Sequence, residues 1–252
     1  MLHSPLERFL PMIDELTEEV LAETDGSPTI DLVADLAYPL PVTVISAVLG
    51  IPLEDRVSLR RWSHALTAAM DVVDDRKVFR EAAAAHQALF DYLRQVIRER
   101  RQHPQPDLLS NLLAAEASGD RLSEEELTAL VGLLVVAGHE TTVNLITNGL
   151  WALVRDSARR EHVRREGLTI TGVEELLRFD SPVQATSRVA TADVVVGGCT
   201  LPAGASVDVW LGAANRDPAT FGAPDRMNLD REPNRHLAFG GGIHSCLGRR
   251  WP

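Results

Sequence analysis

The stretch that decides the fold lies near the end of the chain and reads Phe239-Gly240-Gly241-Gly242-Ile243-His244-Ser245-Cys246-Leu247-Gly248. Glycine permits positive φ angles and a close approach of the backbone to another group. A cysteine that enters a helix lies where the amide dipoles favour the thiolate. Three glycines followed by a single cysteine therefore predict a loop that passes close to a flat group and presents one sulfur to it. This pattern is typical of a thiolate-ligated metal cofactor.

The spacing Phe-Gly-x-Gly-x-His-x-Cys-Leu-Gly resembles the haem-binding loop of the cytochrome P-450 family, the haem-thiolate monooxygenases. The resemblance implies haem b (iron protoporphyrin IX) as the cofactor, with Cys246 as the metal ligand and Phe239 packed against it. It also implies that Gly240 and Gly242 give the loop its tight path and that His244 reaches a haem propionate. The alternative is a glycine-rich turn before a helix, with a buried free cysteine.

A second signal lies in the longest expected helix, over residues 123–155. Residues 123–126 form a capping box, and apolar residues follow around much of the helix circumference, so the helix is expected to be buried centrally. The polar cluster at 138–142 interrupts this apolar pattern. A local rule that is broken inside a buried helix is where function is expected.

That cluster, Gly138-His139-Glu140-Thr141-Thr142, resembles the oxygen-binding groove of the same family. By resemblance, Gly138 leaves room for O2, and the catalytic candidates are Thr141, which offers a hydroxyl to oxygen, and Glu140, which supplies protons through it or through water. The alternative is that Thr141 and Thr142 bond back to helix carbonyls and bend the helix.

Two further arginine motifs fit the resemblance. Glu175 and Arg178 lie three residues apart on a helix expected over 173–179, and the family joins such a pair to an arginine from a later irregular segment. Arg226 is the candidate for this third member. Arg188 falls where the family places a propionate-binding arginine, and the alternative is a solvent-facing strand arginine.

Composition narrows the function classes. The chain has 252 residues with a net charge of −11, which argues against nucleic acid as a partner because phosphate binding needs clustered Lys and Arg. Its two cysteines and 8 histidines show no zinc-site spacing. The N-terminus lacks the pattern of a signal peptide, and the longest apolar run, residues 129–138, is far too short for a membrane span. We expect a cytoplasmic protein with no membrane partner.

The fold class expected is mainly α with a small β region, as an incomplete cytochrome P-450-like fold. The whole of 1–252 is expected to be one partial domain, helical over 1–180, with short strands, a meander and the haem loop over 181–252. Beyond the two helices above, the sequence pattern predicts helices and strands at several places. The helices are 4–23 (bent at Pro11), 31–36, 42–49, 53–70, 77–101 and 107–117; the strands are 183–189, 193–196 and 207–211, with Cys199 in a turn between strands; and 215–236 is irregular. By resemblance, 53–70 and 77–101 form a lid over the substrate.

The resemblance implies a monooxygenase that inserts one oxygen atom of O2 into a small organic substrate, by hydroxylation or epoxidation, with a ferredoxin or flavoprotein electron donor. The family fold is larger at both ends, so the alternative is a truncated, non-catalytic fragment with weak or no haem binding. A peroxygenase that uses hydrogen peroxide would not need the carboxyl of Glu140 and the hydroxyl of Thr141. Because both are present, this alternative is disfavoured. A helical interaction module without a cofactor would leave both motifs unexplained.

The charge near the cysteine bears on the electron donor. From residue 226 onward the chain has five arginines, at 226, 231, 235, 249 and 250, against acids at 230 and 232, a formal +3. Such charge suits an acidic redox partner. The alternative is that several of these arginines are internal.

Overall fold

The computed structural model describes residues 9–70, 75–117 and 122–250, with the backbone alone at 116, 117 and 250. Helices dominate: α1 (Leu10–Ala22), α2 (Pro39–Leu49), α3 (Arg56–Ala68), α4 (Arg76–Gln102), α5 (Leu108–Ala117), α6 (Glu124–Val154), α7 (Ser157–Glu166), α8 (Ile170–Phe179) and α9 (Leu211–Ala214). A turn of π-helix precedes α2 (Leu32–Ala37), and 3-10 turns lie at Leu53–Asp55, Gly242–His244 and Leu247–Arg250. The expected class, mainly α with a small β region, is confirmed.

The β region consists of two antiparallel hairpin-like pairs. The strands are β1 (Ala185–Val189), β2 (Val194–Val196), β3 (Cys199–Leu201) and β4 (Ser206–Trp210). β1 pairs with β4, and β2 pairs with β3 across the turn at Gly197 and Gly198, which both have positive φ. Strand β3 was not predicted, and the expected turn position of Cys199 is wrong because this residue pairs with Val196. Residue 211, predicted to end a strand, begins α9 instead.

The chain divides into two compact units, residues 1–144 and 145–252. That the whole chain is one domain stays a prediction. The first unit has a core to which α2 to α6 all contribute apolar side chains. These are Val42, Leu49, Leu59, Leu89, Leu93, Val96, Ile97, Leu109, Leu127, Val131 and Val135. The helix pair α3 and α4 is therefore part of this core. Its role as a lid over the substrate stays a prediction.

Local capping chemistry explains most helix boundaries. Ser123 Oγ accepts a hydrogen bond from the Glu126 amide at 3.2 Å while Glu126 Oε2 accepts one from the Ser123 amide at 2.8 Å, which confirms the capping box. Gly50 ends α2 in the left-handed conformation. The predicted helix start at residue 4 lies outside the described residues. The predicted bend at Pro11 is wrong, because Pro11 lies in the first turn of α1, where its missing N–H is not needed.

Two features of the helical part were missed or misplaced by sequence reasoning. Helix α7 was not predicted, although Asp156 caps it by accepting from the amides of Ala158 and Arg159. Helix α8 begins at Ile170, three residues before the predicted start, because the Thr169 side chain accepts from the Gly172 amide and caps it.

Two helical stretches among the described residues, Leu32–Leu49 and Glu124–Val154, have the length and mean hydropathy (1.8 and 1.5) of a membrane-crossing helix. The core helix of a soluble protein meets the same criteria. Both stretches contribute side chains to the core of the first unit, such as Leu49 and Val131. This packing favours core helices.

The second unit is organised around a buried carboxylate. Glu175 and Arg178 on α8 are both fully buried and form a two-pronged ion pair, with Arg178 Nε 2.7 Å from Oε2 and Nη2 2.9 Å from Oε1. The Asn228 amide donates to the same carboxylate at 2.8 Å and Asn234 Nδ2 at 3.2 Å. Burial alone would raise the pKa of Glu175, but these hydrogen bonds outweigh it and lower the pKa.

The third member of this cluster is Arg231, and the prediction of Arg226 is wrong. Arg231 Nε lies 3.0 Å from Glu175 Oε2, whereas Arg226 is exposed and contributes its backbone carbonyl, which accepts from Arg178 and Arg231. A buried carboxylate needs charged donors to offset its lost hydration. Arg231 meets that need because the chain turns back on itself between the two arginines, a path that local sequence does not encode.

The cluster also fixes the irregular segment that leads to the cysteine loop. Arg178 Nη1 donates to the carbonyls of Asn215 at 2.7 Å and Pro224 at 3.0 Å. Asn215 Oδ1 accepts from the Leu237 amide at 2.7 Å, and His236 Nε2 lies 2.6 Å from Glu174 Oε2. Both ends of the segment are thereby held against α8, and the chain leaves it in a fixed direction just before Phe239.

Replacing Glu175 by Gln should lower the free energy of unfolding by about 3–5 kcal/mol, since it leaves Arg178 buried without a counter-charge. Urea denaturation would measure the loss. The control is Asp225→Asn, which removes the exposed Arg216–Asp225 ion pair (3.1 Å) of the same unit and should cost about 0–1 kcal/mol. Equal losses in the two variants would contradict the assigned role of the cluster.

Candidate functional site

The cysteine loop is closed by backbone hydrogen bonds. The Cys246 amide donates to the Phe239 carbonyl at 2.9 Å, so the two ends of the loop are adjacent. Gly240 and Gly242 have φ angles of +65° and +66°, which glycine adopts at little cost. A Cβ atom at Gly240 would also lie 3.5 Å from the His244 carbonyl oxygen. Both glycines therefore adopt a backbone conformation that other residues rarely adopt, and their role in a haem-binding loop stays a prediction.

The surface of this loop fits a flat apolar group. Cys246 is a free, exposed thiol, and its neighbours Ile243 and Leu247 are 97% and 79% exposed. Cβ atoms at Gly241 and Gly242 would meet nothing within 4 Å, so no neighbouring part of the chain requires glycine at Gly241. Because glycine has no side chain, the backbone beside the exposed thiol is open to a planar ligand such as haem. The donor fits as well, because a cysteine thiolate is a known axial ligand of haem iron.

The other predicted haem contacts lie at separate places in the second unit. His244 is exposed at the end of the 3-10 turn Gly242–His244. Phe239 is half-buried, with its ring 6.0 Å from that of His236. Arg188 is exposed on β1 and donates to Thr186 Oγ1 at 2.8 Å and to the Ser187 carbonyl at 2.7 Å. Arg188 and His244 share no hydrogen bond among the described residues, so a propionate contact by either stays a prediction.

In the first unit, Gly138 has a packing role. A Cβ atom there would lie 3.2 Å from Cδ1 of Ile45 on α2, which is closer than most real Cβ contacts. The missing side chain thus allows α2 and α6 to approach closely. Its predicted role beside oxygen stays a prediction.

The two threonines of the motif both bond back to the helix. Thr141 Oγ1 donates to the Ala137 carbonyl at 2.6 Å, and Thr142 Oγ1 donates to the Gly138 carbonyl at 3.1 Å. This is the alternative that the sequence left open, although α6 runs as continuous α-helix through the site. Because its proton is engaged, Thr141 Oγ1 presents lone pairs and can accept a hydrogen bond. It must rotate before it can donate one to a ligand.

His139 and Glu140 face α3 and are buried with Ser63. Ser63 Oγ lies 3.3 Å from His139 Nδ1 and 3.5 Å from Glu140 Oε1. His139 Nδ1 is also 3.5 Å from Glu140 Oε1. Burial, helped by the positive charge of Arg60, lowers the pKa of His139 to about 4. Burial raises the pKa of Glu140. A neutral imidazole therefore lies beside a carboxyl that holds its proton to higher pH than usual.

The sequence did not predict Ser63 as part of the site. It lies on the buried face of an amphipathic helix, where a single serine carries no signal, and its contact with Glu140 spans 77 positions of sequence. Glu140 and Thr141 were predicted to act as a pair, but among the described residues they share no hydrogen bond. Successive residues point about 100° apart around a helix, which directs Glu140 to α3.

A family model and individual relatives from comparison with known proteins all indicate the same protein family. The family model described as Cytochrome P-450 matches residues 2–251. The chain is 40% identical over 243 residues to the "Biotin biosynthesis cytochrome P-450" of Bacillus subtilis (strain 168), covering 96% of this chain and 61% of that protein. It is 43% identical over 241 residues to "Vitamin D(3) 25-hydroxylase" of Pseudonocardia autotrophica, covering 94% of this chain and 58% of that protein.

Solved structures agree. A cytochrome P-450 of Bacillus megaterium in complex with testosterone superposes with a TM-score of 0.91 at 40% identity, covering 97% of this chain and 64% of that one. The chain thus spans about three fifths of the length of the curated relatives that it matches.

Histidine 139 should make stability depend on pH. The unfolded chain takes up a proton at the ordinary histidine pKa of 6.5, whereas the folded chain does so only at about 4. Stability present above pH 6.5 should therefore be lost as the pH falls from about 6.5 to about 4, by up to about 3 kcal/mol. Glu140 acts in the opposite sense, because its pKa is raised.

The histidine contribution is isolated by comparing urea denaturation of the wild type and His139→Gln over this pH range. The variant should lose the decrease in stability. His86→Gln, at an exposed histidine of α4, is the matched control and should keep the wild-type slope. A slope unaffected by the His139 substitution would contradict the assignment.

Proposed function

This chain belongs to the cytochrome P-450 family, whose cofactor is haem b, and we propose that it acts as a haem-thiolate monooxygenase on a small organic substrate. The observation that carries the proposal is the exposed thiol of Cys246 in a closed glycine loop that is held against α8. When bound, thiolate-ligated haem would supply the reductive activation of O2 for insertion of one oxygen atom into the substrate.

Residues of the second unit would hold the cofactor. Cys246 Sγ would ligate the iron as a thiolate, and Phe239, Gly240 and Gly242 would keep the loop in the path that presents it. His244 and Arg188 would donate to the propionates, for which both side chains are exposed. Two exposed cationic or hydrogen-bonding groups suit two carboxylates.

Residues of the first unit would make room for O2, bind a water or substrate hydroxyl, and supply protons. Gly138 would leave room for O2 once the Ile45 side chain, which lies against it, turns away. Thr141 Oγ1 would accept a hydrogen bond from a water or a substrate hydroxyl. Glu140, whose pKa burial raises, would hold a proton on its carboxyl group to higher pH than an ordinary glutamate and release it when a base is present. Two of the relatives are named or solved with vitamin D(3) and testosterone, so we infer a largely apolar substrate.

We infer a ferredoxin or flavoprotein as electron donor and a cytoplasmic location. The docking charge is smaller than the sequence implies. Arg231 is internal, paired with Glu175, which leaves three exposed arginines against two exposed acids among the described side chains from residue 226 onward; the side chain of Arg250 lies outside them. The exposed residues are Arg226, Arg235, Arg249, Asp230 and Glu232.

A second candidate is a fragment that keeps the motifs but binds haem weakly or not at all. The observation that favours it is the conformation after the cysteine, where Leu247–Arg250 form a 3-10 turn. A thiolate is stabilised by the aligned amides of a following α-helix, and this turn supplies fewer of them.

Haem ligation can be tested with two cysteine variants. After haem loading, the reduced carbon monoxide complex should show the red-shifted Soret band that thiolate ligation produces. Cys246→Ser should abolish that band, whereas Cys199→Ser, which changes an exposed cysteine of β3, should leave it unchanged. Failure to take up haem would favour the fragment, and an unaffected band in Cys246→Ser would show that another residue ligates the iron.

Replacing Thr141 by Ala should uncouple electron consumption from product formation with little effect on substrate binding. Protonation aided by one positioned group is worth about 10²–10⁴-fold, and Ala is a better helix former than Thr, so the variant should fold. Thr142→Ala is the matched control, since it removes the same kind of back-bond one residue away. Equal uncoupling in both variants, or full coupling in Thr141→Ala, would remove Thr141 from the mechanism.

A further inference from the structure

Helix α3 supplies a hydroxyl to the proton-handling residues of α6. We propose that His139 and Ser63 form a proton relay that runs from His139 Nε2 through Nδ1 and Ser63 Oγ to Glu140 Oε1, and that it reloads Glu140 with protons. The inference rests on the proposed function, in which Glu140 releases protons to the reaction.

The geometry joins the three groups in one buried cluster. The separations are 3.3 Å between His139 Nδ1 and Ser63 Oγ, and 3.5 Å between Ser63 Oγ and Glu140 Oε1. Ser63 and His139 are fully buried and Glu140 is 7% exposed. Both distances exceed the ordinary hydrogen-bond range of about 2.5–3.2 Å, so the side chains must move closer by a few tenths of an ångström before a proton passes between them. Glu140 is largely buried, and the polar side chains in contact with its carboxyl group are Ser63 and His139, which makes these two the candidates for passing it a proton.

Proton counting fixes the direction of each hydrogen bond. While Glu140 is ionised, its Oε1 accepts the single proton of Ser63, whose oxygen then accepts from Nδ1–H of neutral His139. Nε2 is left as a bare lone pair. When Nε2 takes up a proton, the Nδ1 proton moves to Ser63 Oγ and the serine proton moves to Glu140 Oε1. The imidazole ends neutral with its proton on Nε2, the serine is restored, and Glu140 is protonated.

The proposed entry atom of this relay is His139 Nε2. His139 Nε2 is buried and no group among the described residues meets hydrogen-bond geometry with it, although the backbone of Tyr38 lies close enough to the imidazole to raise the pKa of His139 slightly against the effect of burial. A buried polar atom without a partner is costly in a native fold. In the relay it is the point where a proton enters, once a movement of the neighbouring side chains admits a water molecule to this buried atom.

The outer end of the cluster is charged and partly exposed. The Tyr38 ring packs on the His139 ring at 5.5 Å, and Tyr38 Oη lies 3.3 Å from Nδ1 of the exposed His64. The Arg60 guanidinium lies over Tyr38 at 3.7 Å. Tyr38, Arg60 and His64 are the titratable and charged groups that face His139 and Glu140 from the neighbouring elements. Burial, helped by the charge of Arg60, keeps His139 neutral, as a relay that passes protons without storing charge requires.

The test begins with the chain free of haem, because the relay predicts a tautomer switch. With ¹⁵N-labelled histidine, NMR should show His139 carrying its proton on Nε2 while Glu140 is protonated and on Nδ1 once Glu140 is ionised. The His139 signals are assigned by their loss in His139→Gln. Ser63→Ala should abolish the switch and Ser63→Thr should keep it. Thr67→Ala, which removes a hydroxyl bonded to the Ser63 carbonyl one turn along α3, is the matched control.

In the haem-loaded enzyme, Ser63→Ala should lower coupled product formation about 10-fold, part of the 10²–10⁴-fold typical of positioned proton transfer. Ser63→Thr should restore it. A single His139 tautomer across the whole pH range, or undiminished coupling in Ser63→Ala, would overturn the relay. A chain that takes up no haem overturns the proposed function, whereas a chain that binds haem and keeps one tautomer overturns the relay alone.

Discussion

The interaction on which the second unit depends is the buried carboxylate of Glu175 and the donors that surround it. A lone buried carboxylate would be unstable, and here Arg178, Arg231, Asn234 and the amide of Asn228 all donate to it. Because these donors lie far apart in sequence, the cluster forms only when α8 and the irregular segment after α9 are in one arrangement. Its stability is thus linked to the path of a segment that has no helix or strand of its own.

That constraint reaches the thiol through a short series of contacts. Arg178 holds the carbonyl of Asn215, the Asn215 side chain holds the amide of Leu237, and Phe239 follows two residues later. The Phe239 carbonyl then accepts from the Cys246 amide and closes the loop. The Cys246 sulfur is exposed, so the position of the loop depends on the buried ion cluster to which its entrance is joined.

The first unit also buries ionisable side chains, but there burial favours their uncharged forms, whereas in the second unit a buried charge is paired. Helix α6 is a core helix that carries two ionisable residues at its centre, and it tolerates them because burial keeps His139 neutral and favours the protonated form of Glu140. Ser63 of α3 joins the two. The polar cluster thus adds little buried charge to a core of Leu, Ile and Val while keeping groups that take up and give up protons.

Much of the fold could be predicted because its signals are local. The capping box at Ser123, the left-handed cap at Gly50 and the two glycines of the loop each follow from a few neighbouring residues, and the glycine–cysteine spacing led to the family. What failed depended on distant partners. Arg226 and Arg231 are alike in sequence, and only the reverse turn of the chain brings Arg231 to Glu175. Ser63 looks like any buried serine until α3 packs on α6. Helix α7 was missed because charged residues dominate it and no apolar stripe marks it.

The central claim is that Cys246 presents a thiolate to haem iron. X-ray absorption at the iron edge of the haem-loaded chain tests it most directly, because sulfur scatters differently from nitrogen and oxygen. We expect one sulfur atom in the first coordination shell of the iron, lost in Cys246→Ser and kept in Cys199→Ser. A first shell of nitrogen and oxygen alone in the wild-type chain would contradict it.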